Sequence, residues 1–214
     1  MFMKSNIFLT LFALLTAFAM QSQNISLPTP QTTGGLPVNQ ALAERRSTRE
    51  FSSRPLPMQT VADMLWATCG INRPADAHRT NPTAMNWQEV DAYLFTTDGV
   101  YRYDFTTNEL VPVVSGNKLS LLAGTAQFSQ DYVLEAPAAV LLTVDTAKVM
   151  PGEQGLYMAL VDAGIANENL NLFCAGNGLV TVPRATMDVA GLRAALNLPE
   201  TVIPVINNPV GFPK

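Results

Sequence analysis

The stretch Arg45-Arg46-Ser47-Thr48-Arg49-Glu50-Phe51 puts three guanidiniums and two hydroxyls within five residues. A guanidinium is a planar fork of N–H donors that grips phosphate or carboxylate oxygens in pairs, so the cluster has the chemistry to hold one small anion. The same composition also suits the solvated end of a charged helix, and these residues alone leave both readings open. A second stretch, Pro82-Thr83-Ala84-Met85-Asn86-Trp87-Gln88, follows about 35 residues later. It carries two amide side chains, each offering a donor and an acceptor. The rest of the chain has little of the make-up of side-chain catalysis. There is no G-x-S-x-G, no P-loop and no G-x-G-x-x-G. The single histidine, His78, sits in a proline-rich loop and cannot build a His-rich metal site, so no metal is expected. Carboxylates such as Glu50 and Asp63 are too scattered for acid–base work. A chain this poor in catalytic side chains can still be an enzyme if a cofactor carries out the difficult step.

Composition narrows the partners. The chain has 214 residues, 48% of them hydrophobic, with a formal net charge of −4. That length fits one globular domain with a core of its own. Charged residues make up 14%, against about 25% in an ordinary soluble domain. An acidic balance leaves no basic surplus to neutralise phosphodiesters, which argues against nucleic acid. The arginine cluster is therefore local and suits a small anionic ligand.

Part of the apolar excess lies at the N-terminus. Lys4 precedes the run Ile7–Ala19, which ends in a small-x-small pair at Ala17 and Ala19. The run is shorter than the ~20 residues that span a bilayer. It reads as a cleavable secretory signal over residues 1–20 and predicts an exported, periplasmic protein with no membrane association beyond that segment. Residues 21–37, rich in proline and glycine without periodicity, read as an extended linker. The folded domain then covers 38–214. Cys69 and Cys174 could pair in an exported protein. Each lies among apolar residues in a helical pattern, which favours two separately buried thiols.

Patterning sets out the elements. A short helix is expected over 38–46. A second starts at Thr60 as its cap and stops at Gly70. Residues 72–83 read as loop. Val90–Phe95 alternates as a strand, Asp98-Gly99 turns, and Val100–Asp104 returns. Residues 117–135 look helical, and Ala138–Val144 is a continuous apolar run expected as a strand covered on both faces. A long helix runs from Gly155 to Gly176, with Leu160 and Ile165 among its expected buried content. A short strand at Leu179–Val182, a helix over 189–196 capped by Asp188, and a strand over 201–206 complete the chain. Pro204 should place that last strand at a sheet edge or on a bulge. The hairpin excludes a purely parallel sheet, so the fold class is an α+β sandwich.

The two stretches together resemble the flavin-binding signature of the nitroreductase-like flavoproteins. That family opens its domain with a basic-basic-Ser-x-basic-x-Phe pattern, here RRSTREF. The resemblance implies that Arg45, Arg46, Ser47 and Arg49 bind the phosphate and ribityl chain of FMN. The family's Pro-Ser-x-x-Asn-x-Gln is PTAMNWQ here, with Thr83 in place of serine. This implies that Pro82, Thr83 and Ala84 lie along the isoalloxazine ring of a partner subunit's flavin, and that Asn86 bonds its polar edge. Ala163–Leu170 resembles the family's dimer-forming helix, with Glu168 where Gln is common. Gly178–Pro183 resembles the segment that passes over the flavin's N5, bringing in Val182 and Pro183. Gly211-Phe212-Pro213 resembles the closing turn, after which Lys214 is the basic residue placed to reach the phosphate. Leu65-Trp66-Ala67 with Gly70-Ile71 is most similar to the azoline dehydrogenase subgroup.

The resemblance implies a three-layer α/β/α sandwich with a mixed, mainly antiparallel sheet and a long buried helix. It implies a homodimer with FMN at the interface and NAD(P)H as the donor. It also implies ping-pong hydride transfer through N5 to a small organic acceptor such as a nitroaromatic or quinone. A non-catalytic exported flavin-binding module is the alternative. Two departures favour that alternative: the family's excursion between the Val140 strand and the long helix shrinks to Asp145–Gln154, and an exported protein lacks ready access to cytosolic NAD(P)H. The subgroup's Lys-Tyr pair also has no match.

Overall fold

The computed structural model describes residues 23–214, so the predicted signal segment lies outside the described residues. In chain order the elements begin with β1 (Ile25–Ser26), α1 (Val38–Glu44), α2 (Met58–Cys69), β2 (Ile71–Arg73) and β3 (His78–Arg79). The meander β4 (Val90–Thr96), β5 (Gly99–Asp104) and β6 (Glu109–Ser115) follows, then α3 (Leu119–Ala123) and β7 (Ala138–Asp145). The chain closes with α4 (Glu153–Gly176), β8 (Val180–Thr181), α5 (Val189–Leu196) and β9 (Val202–Gly211). Seven strands form one sheet in the order β1-β6-β5-β4-β7-β9-β8, and every ladder in it is antiparallel. The mixed character expected of the sheet reduces to a single parallel bridge, Ser47 to Thr181.

The layering follows from β7. Val140, Leu142 and Val144 pack with α2 and α4, against Val61, Met64, Leu65, Ala159, Ala163 and Leu170. Ala139 and Leu141 point the other way, into a second core with Phe95, Leu119, Leu122, Val133 and Leu192. Successive strand residues face opposite sides, so a strand covered on both must be apolar throughout. This is the three-layer α/β/α sandwich, with α2 and α4 on one face and α3 and α5 on the other.

Several elements differ from their sequence reading. Helix α2 starts at Met58 with Pro57 as its N-cap, not at Thr60: proline's fixed φ and missing N–H suit a helix start. The 72–83 loop contains the small hairpin β2–β3. The long helix expected over 117–135 breaks at Gly124. That residue has φ +149, and a Cβ there would lie 2.1 Å from the Phe128 carbonyl oxygen. The chain turns back at that point, and only α3 and a 3₁₀ turn over Asp131–Glu135 remain helical. β6 has no counterpart in the sequence reading, and it contains Pro112. The ladder accommodates it at a register shift beside Tyr101, where a ladder bond is already lost. Pro204 behaves alike: β9 is an inner strand, and its irregularity falls opposite Leu142–Thr143.

The stretch read as a linker is extended but tied to the domain. Ile25 pairs with Leu110, Leu27 is buried, and the Asn108 amide donates to the carbonyls of Leu27 and Pro28. Further on, the Gln31 N–H donates to Asp63 Oδ1 at 2.7 Å. The start of α4 depends on Gly155, where a Cβ would sit 1.9 Å from the Met150 carbonyl oxygen. Helix α4 packs on the sheet through small residues, Gly155, Ala159, Ala163 and Ala166. Leu160 and Ile165, expected to be buried, face outward with Tyr157 and Val161. Small residues let the helix lie close to the sheet, and the large apolar side chains are left for the opposite face.

Candidate functional site

Three of the four groups picked from the sequence meet at one edge of the sheet. After α1 the chain runs extended beside β8, with Ser47 bridged to Thr181 and the Thr48 N–H donating to the Thr181 carbonyl at 3.0 Å. Val182 and Pro183 follow directly. Phe51 anchors this run, buried against Ala136 and Val182. The Ser52 N–H then bonds the Phe212 carbonyl at 2.9 Å, which brings the C-terminal turn and Lys214 to the same edge. Arg45 is half-buried, while Arg46, Ser47 and Arg49 are exposed. Among the described residues none of these three arginines has a carboxylate partner. Arg49 lies 5.9 Å from the Tyr132 ring centroid and Arg54 stacks at 4.2 Å on Phe212. Lys214 sits 3.9 Å from Glu135, beside a depression of about 580 Å³ lined by Phe51, Ser52, Ser53 and Leu134. Unpaired guanidiniums at one edge have donors to spare, which is what an anion site requires.

The fourth group lies elsewhere in the same chain. Ala84 donates its N–H to Asp162 Oδ2 on α4 at 2.7 Å. The Thr181 end of the site connects to Asn171 of the same helix. Nine helical residues separate the two positions, roughly 13 Å along the axis. The 82–88 loop is built from its own polar residues. Thr83 Oγ1 accepts the Gln88 N–H at 3.0 Å, a bond serine could make equally, so the Ser-to-Thr change keeps the loop's staple. Gln88 Nε2 donates to the Ala77 carbonyl at 3.0 Å and to Asn86 Oδ1 at 3.2 Å. Met85, Asn86 and Gln88 all have positive φ, and Met85 is 82% exposed. Non-glycine residues in the left-handed region carry strain that surrounding bonds must hold, and such strain collects at binding and catalytic loops.

Two buried polar groups that position the site were not picked from the sequence. The first is a chain of side chains joining helix to sheet. Asn171 Nδ2 donates to Glu168 Oε2, Asn208 Nδ2 donates to Asn171 Oδ1 and Thr181 Oγ1, and Thr181 Oγ1 donates to the Pro209 carbonyl. It fixes the strand against which Ser47 and Thr48 dock. The second is Arg184, buried directly after Val182-Pro183. Its guanidinium donates to the Leu122 and Ala123 carbonyls, to Asn207 Oδ1 and to Gln130 Oε1. Only the apolar neighbours of Asn208 and the position of Arg184 next to a motif hinted at either.

Beneath the 82–88 loop lies Glu89, 0% exposed. Burial pushes its carboxyl pKa up from 4.5 to about 7, and the neighbouring Asp162 adds to the rise, against its own amide N–H and the Arg79 guanidinium. Between pH 4.5 and about 7 the folded protein thus keeps a proton that the unfolded chain has released. Its contribution to stability is full below 4.5, falls across that window and is gone above about 7. Urea midpoints should accordingly be lower at about pH 7.5 than at about pH 5.5, with the difference absent in Glu89→Gln. Cys69 and Cys174 are both free and buried, and burial pushes the Cys69 thiol up to about 12 and the Cys174 thiol up as well. Neither thiol is reactive at neutral pH.

Comparison with known proteins decides the family. The model of the nitroreductase family matches residues 42–211, which includes both motifs. The chain belongs to the nitroreductase family. A Methanocaldococcus jannaschii protein named as a nitroreductase is 26% identical over 182 residues, covering 79% of this chain and 88% of its own. A Ralstonia eutropha crystal structure, also named as a nitroreductase, superposes with a TM-score of 0.82 at 29% identity, over 92% of each chain. A chain of the Escherichia coli microcin synthetase McbBCD complex shares the fold, with a TM-score of 0.68 at 17% identity over 100% of this chain and 85% of that one. As a nitroreductase-family member the protein is an oxidoreductase. The arginine edge, the Val182-Pro183 segment and the 82–88 loop are its candidate site.

Proposed function

We propose that the protein is an FMN-dependent oxidoreductase in which Arg45, Arg46, Ser47, Arg49 and Lys214 hold the phosphate end of the cofactor. The carrying observation is the gathering of unpaired arginines at the β8 edge beside Val182 and Pro183. FMN phosphate is a dianion, and several charge-assisted hydrogen bonds are the means of retaining it. When bound, the cofactor supplies hydride chemistry in two half-reactions, from a donor such as NAD(P)H to a small organic acceptor such as a nitroaromatic or quinone. The chain's own task is to grip, orient and shelter. Ser47 adds a hydroxyl, Val182 and Pro183 give an apolar wall, and Pro82, Thr83, Ala84 and Asn86 form the second wall with an amide at its rim.

The separation of that loop from the arginine edge supports a site built by two chains. Tyr157 (64% exposed), Leu160, Val161 and Ile165 form an apolar face on α4, the helix to which Ala84, next to the exposed Met85, is bonded through Asp162. A large outward apolar face on a helix is a mark of an interface. A second copy on this face would bring its own 82–88 loop towards the arginine edge. Light scattering on the purified protein should give twice the chain mass, and Ile165→Glu should halve it; a wild-type monomer rejects the two-chain site.

Export rests on the N-terminal apolar run, and N-terminal sequencing of secreted material tests it. The functional reading is tested by purifying the protein with added FMN. A yellow protein that bleaches under an anaerobic donor and recovers its colour with acceptor supports it. Colour without acceptor-dependent recovery leaves the non-catalytic flavin module, and a colourless protein removes both.

A further inference from the structure

The ground beneath the 82–88 loop is held by charge. Arg79 is buried, with its guanidinium 3.5 Å from the Phe105 ring centroid. It donates to the carbonyls of Gln88 and Val90, on either side of Glu89. The Glu89 carbonyl accepts the Asp145 N–H at 3.0 Å. The backbone at Glu89 is therefore clamped, and its side chain has nowhere to go but inward. Neither oxygen of its carboxyl group meets a donor from another residue. It faces Asp162, close enough for a carboxyl–carboxylate hydrogen bond, and Asp162 is itself 6% exposed.

Counting charge in this pocket gives the argument. Arg79 brings one positive charge from the β2–β3 hairpin, Asp162 brings one carboxyl from α4, and Glu89 brings another from the entry to β4. Lys148, from the turn after β7, is spoken for: its Nζ lies 3.9 Å from Asp91 and 3.5 Å from the Gln88 carbonyl. Two carboxylates against one guanidinium leave a surplus negative charge out of contact with water, which is costly. One proton removes it. It also turns an acceptor–acceptor contact into a donor–acceptor one.

We propose that Glu89 holds a proton that it donates to Asp162 and that this proton sets the seat of the 82–88 loop. Protonated Glu89 donates to Asp162, whose other oxygen holds the Ala84 N–H. Loss of the proton sets two carboxylates against each other, Asp162 shifts, and the loop loses the bond that holds Ala84 and its strained neighbours Met85 and Asn86. Glu89 and Asp162 are positioning residues: neither reaches the surface that would touch a cofactor. On the reading of the 82–88 loop as a flavin wall, cofactor retention weakens as Glu89 loses its proton.

The test needs no cofactor. In ¹⁵N-labelled protein the Ala84 amide resonance is followed against pH, together with its hydrogen-exchange protection factor. The Leu192 amide, on the far side of the sheet, serves as the control. Wild type should show the Ala84 resonance titrating near neutrality, with protection falling about tenfold from pH 6 to pH 8.5 while Leu192 stays flat. Glu89→Gln places a permanent N–H donor where that proton was, so Ala84 should stay protected and flat across the range. A flat wild-type Ala84, or a Glu89→Gln protein that titrates as wild type does, overturns the proposal. If that variant does not fold, the wild-type titration decides alone. Failure here leaves the FMN assignment standing, since that rests on colour, and a colourless protein leaves this proposal standing.

Discussion

The double replacement Arg45→Ala/Arg49→Ala yields a folded domain that no longer retains FMN. Each lost charge-assisted bond to phosphate removes roughly 1.5–3 kcal/mol, so together about 3–6 kcal/mol, or about 10²- to 10⁴-fold in affinity. The fold should survive because Arg49 is exposed, Arg45 only half-buried, and neither holds a carboxylate. The anchors of the segment are Phe51 and the Thr48–Thr181 backbone bond, and both remain. Titration of the apoprotein with FMN, followed by quenching of flavin fluorescence, measures the loss, and circular dichroism checks the fold. Affinity within threefold of wild type, on the order of 0.7 kcal/mol, would remove the phosphate from this edge. A single Arg46→Ala change should cost less than the pair, since one guanidinium is lost instead of two.

Arg184→Met should have the largest effect on stability of any single change considered. The guanidinium is buried among four acceptors, the Leu122 and Ala123 carbonyls, Asn207 Oδ1 and Gln130 Oε1. Methionine fills most of the volume and satisfies none of them. Leaving a buried acceptor without its donor costs about 1–3 kcal/mol for each one that finds no other partner, against total stabilities of about 5–15 kcal/mol. The variant should fold with a much lower urea midpoint at an unchanged m-value. Arg184 also carries Val182 and Pro183, so FMN affinity should fall with it even under conditions where the variant is folded. An unchanged midpoint would show that those acceptors find other partners without cost.

Much of the fold was legible because it is written in local spacing. The Ala138–Val144 run reads as a strand covered on both faces and Asp98-Gly99 as a tight turn, and the structure has both. Asp188 caps α5 as expected, with its side chain accepting the Gly191 N–H. The two thiols were legible too, because an apolar setting in a helix predicts burial. Where local signals conflicted, the reading failed. β6, which contains Pro112, went unread, the composition of residues 21–37 hid β1, and Gly124 ended a helix that periodicity had extended. Only for β1 do the deciding partners, Leu110 and Asn108, lie far along the chain; Pro112 is settled by Tyr101 across one hairpin, and Gly124 by the nearby Phe128 carbonyl, a close approach that periodicity does not register.

The sequence by itself determined the chemistry available to this protein: a cluster of guanidiniums, an amide-bearing loop, and almost nothing that could act as an acid, a base or a nucleophile. Residue type and short spacing are properties of the chain, and they survive without a fold. The tertiary structure alone decided which of these groups meet. It put the arginines beside Val182 and Pro183 through one parallel bridge, tied the 82–88 loop to Asp162 on a different turn of α4 from Asn171, and turned the large apolar side chains of that helix outward. It also decided the burial of Glu89, Asp162 and Arg184. The energy of a buried charge is set by the groups packed around it, and packing brings together residues that the sequence holds far apart.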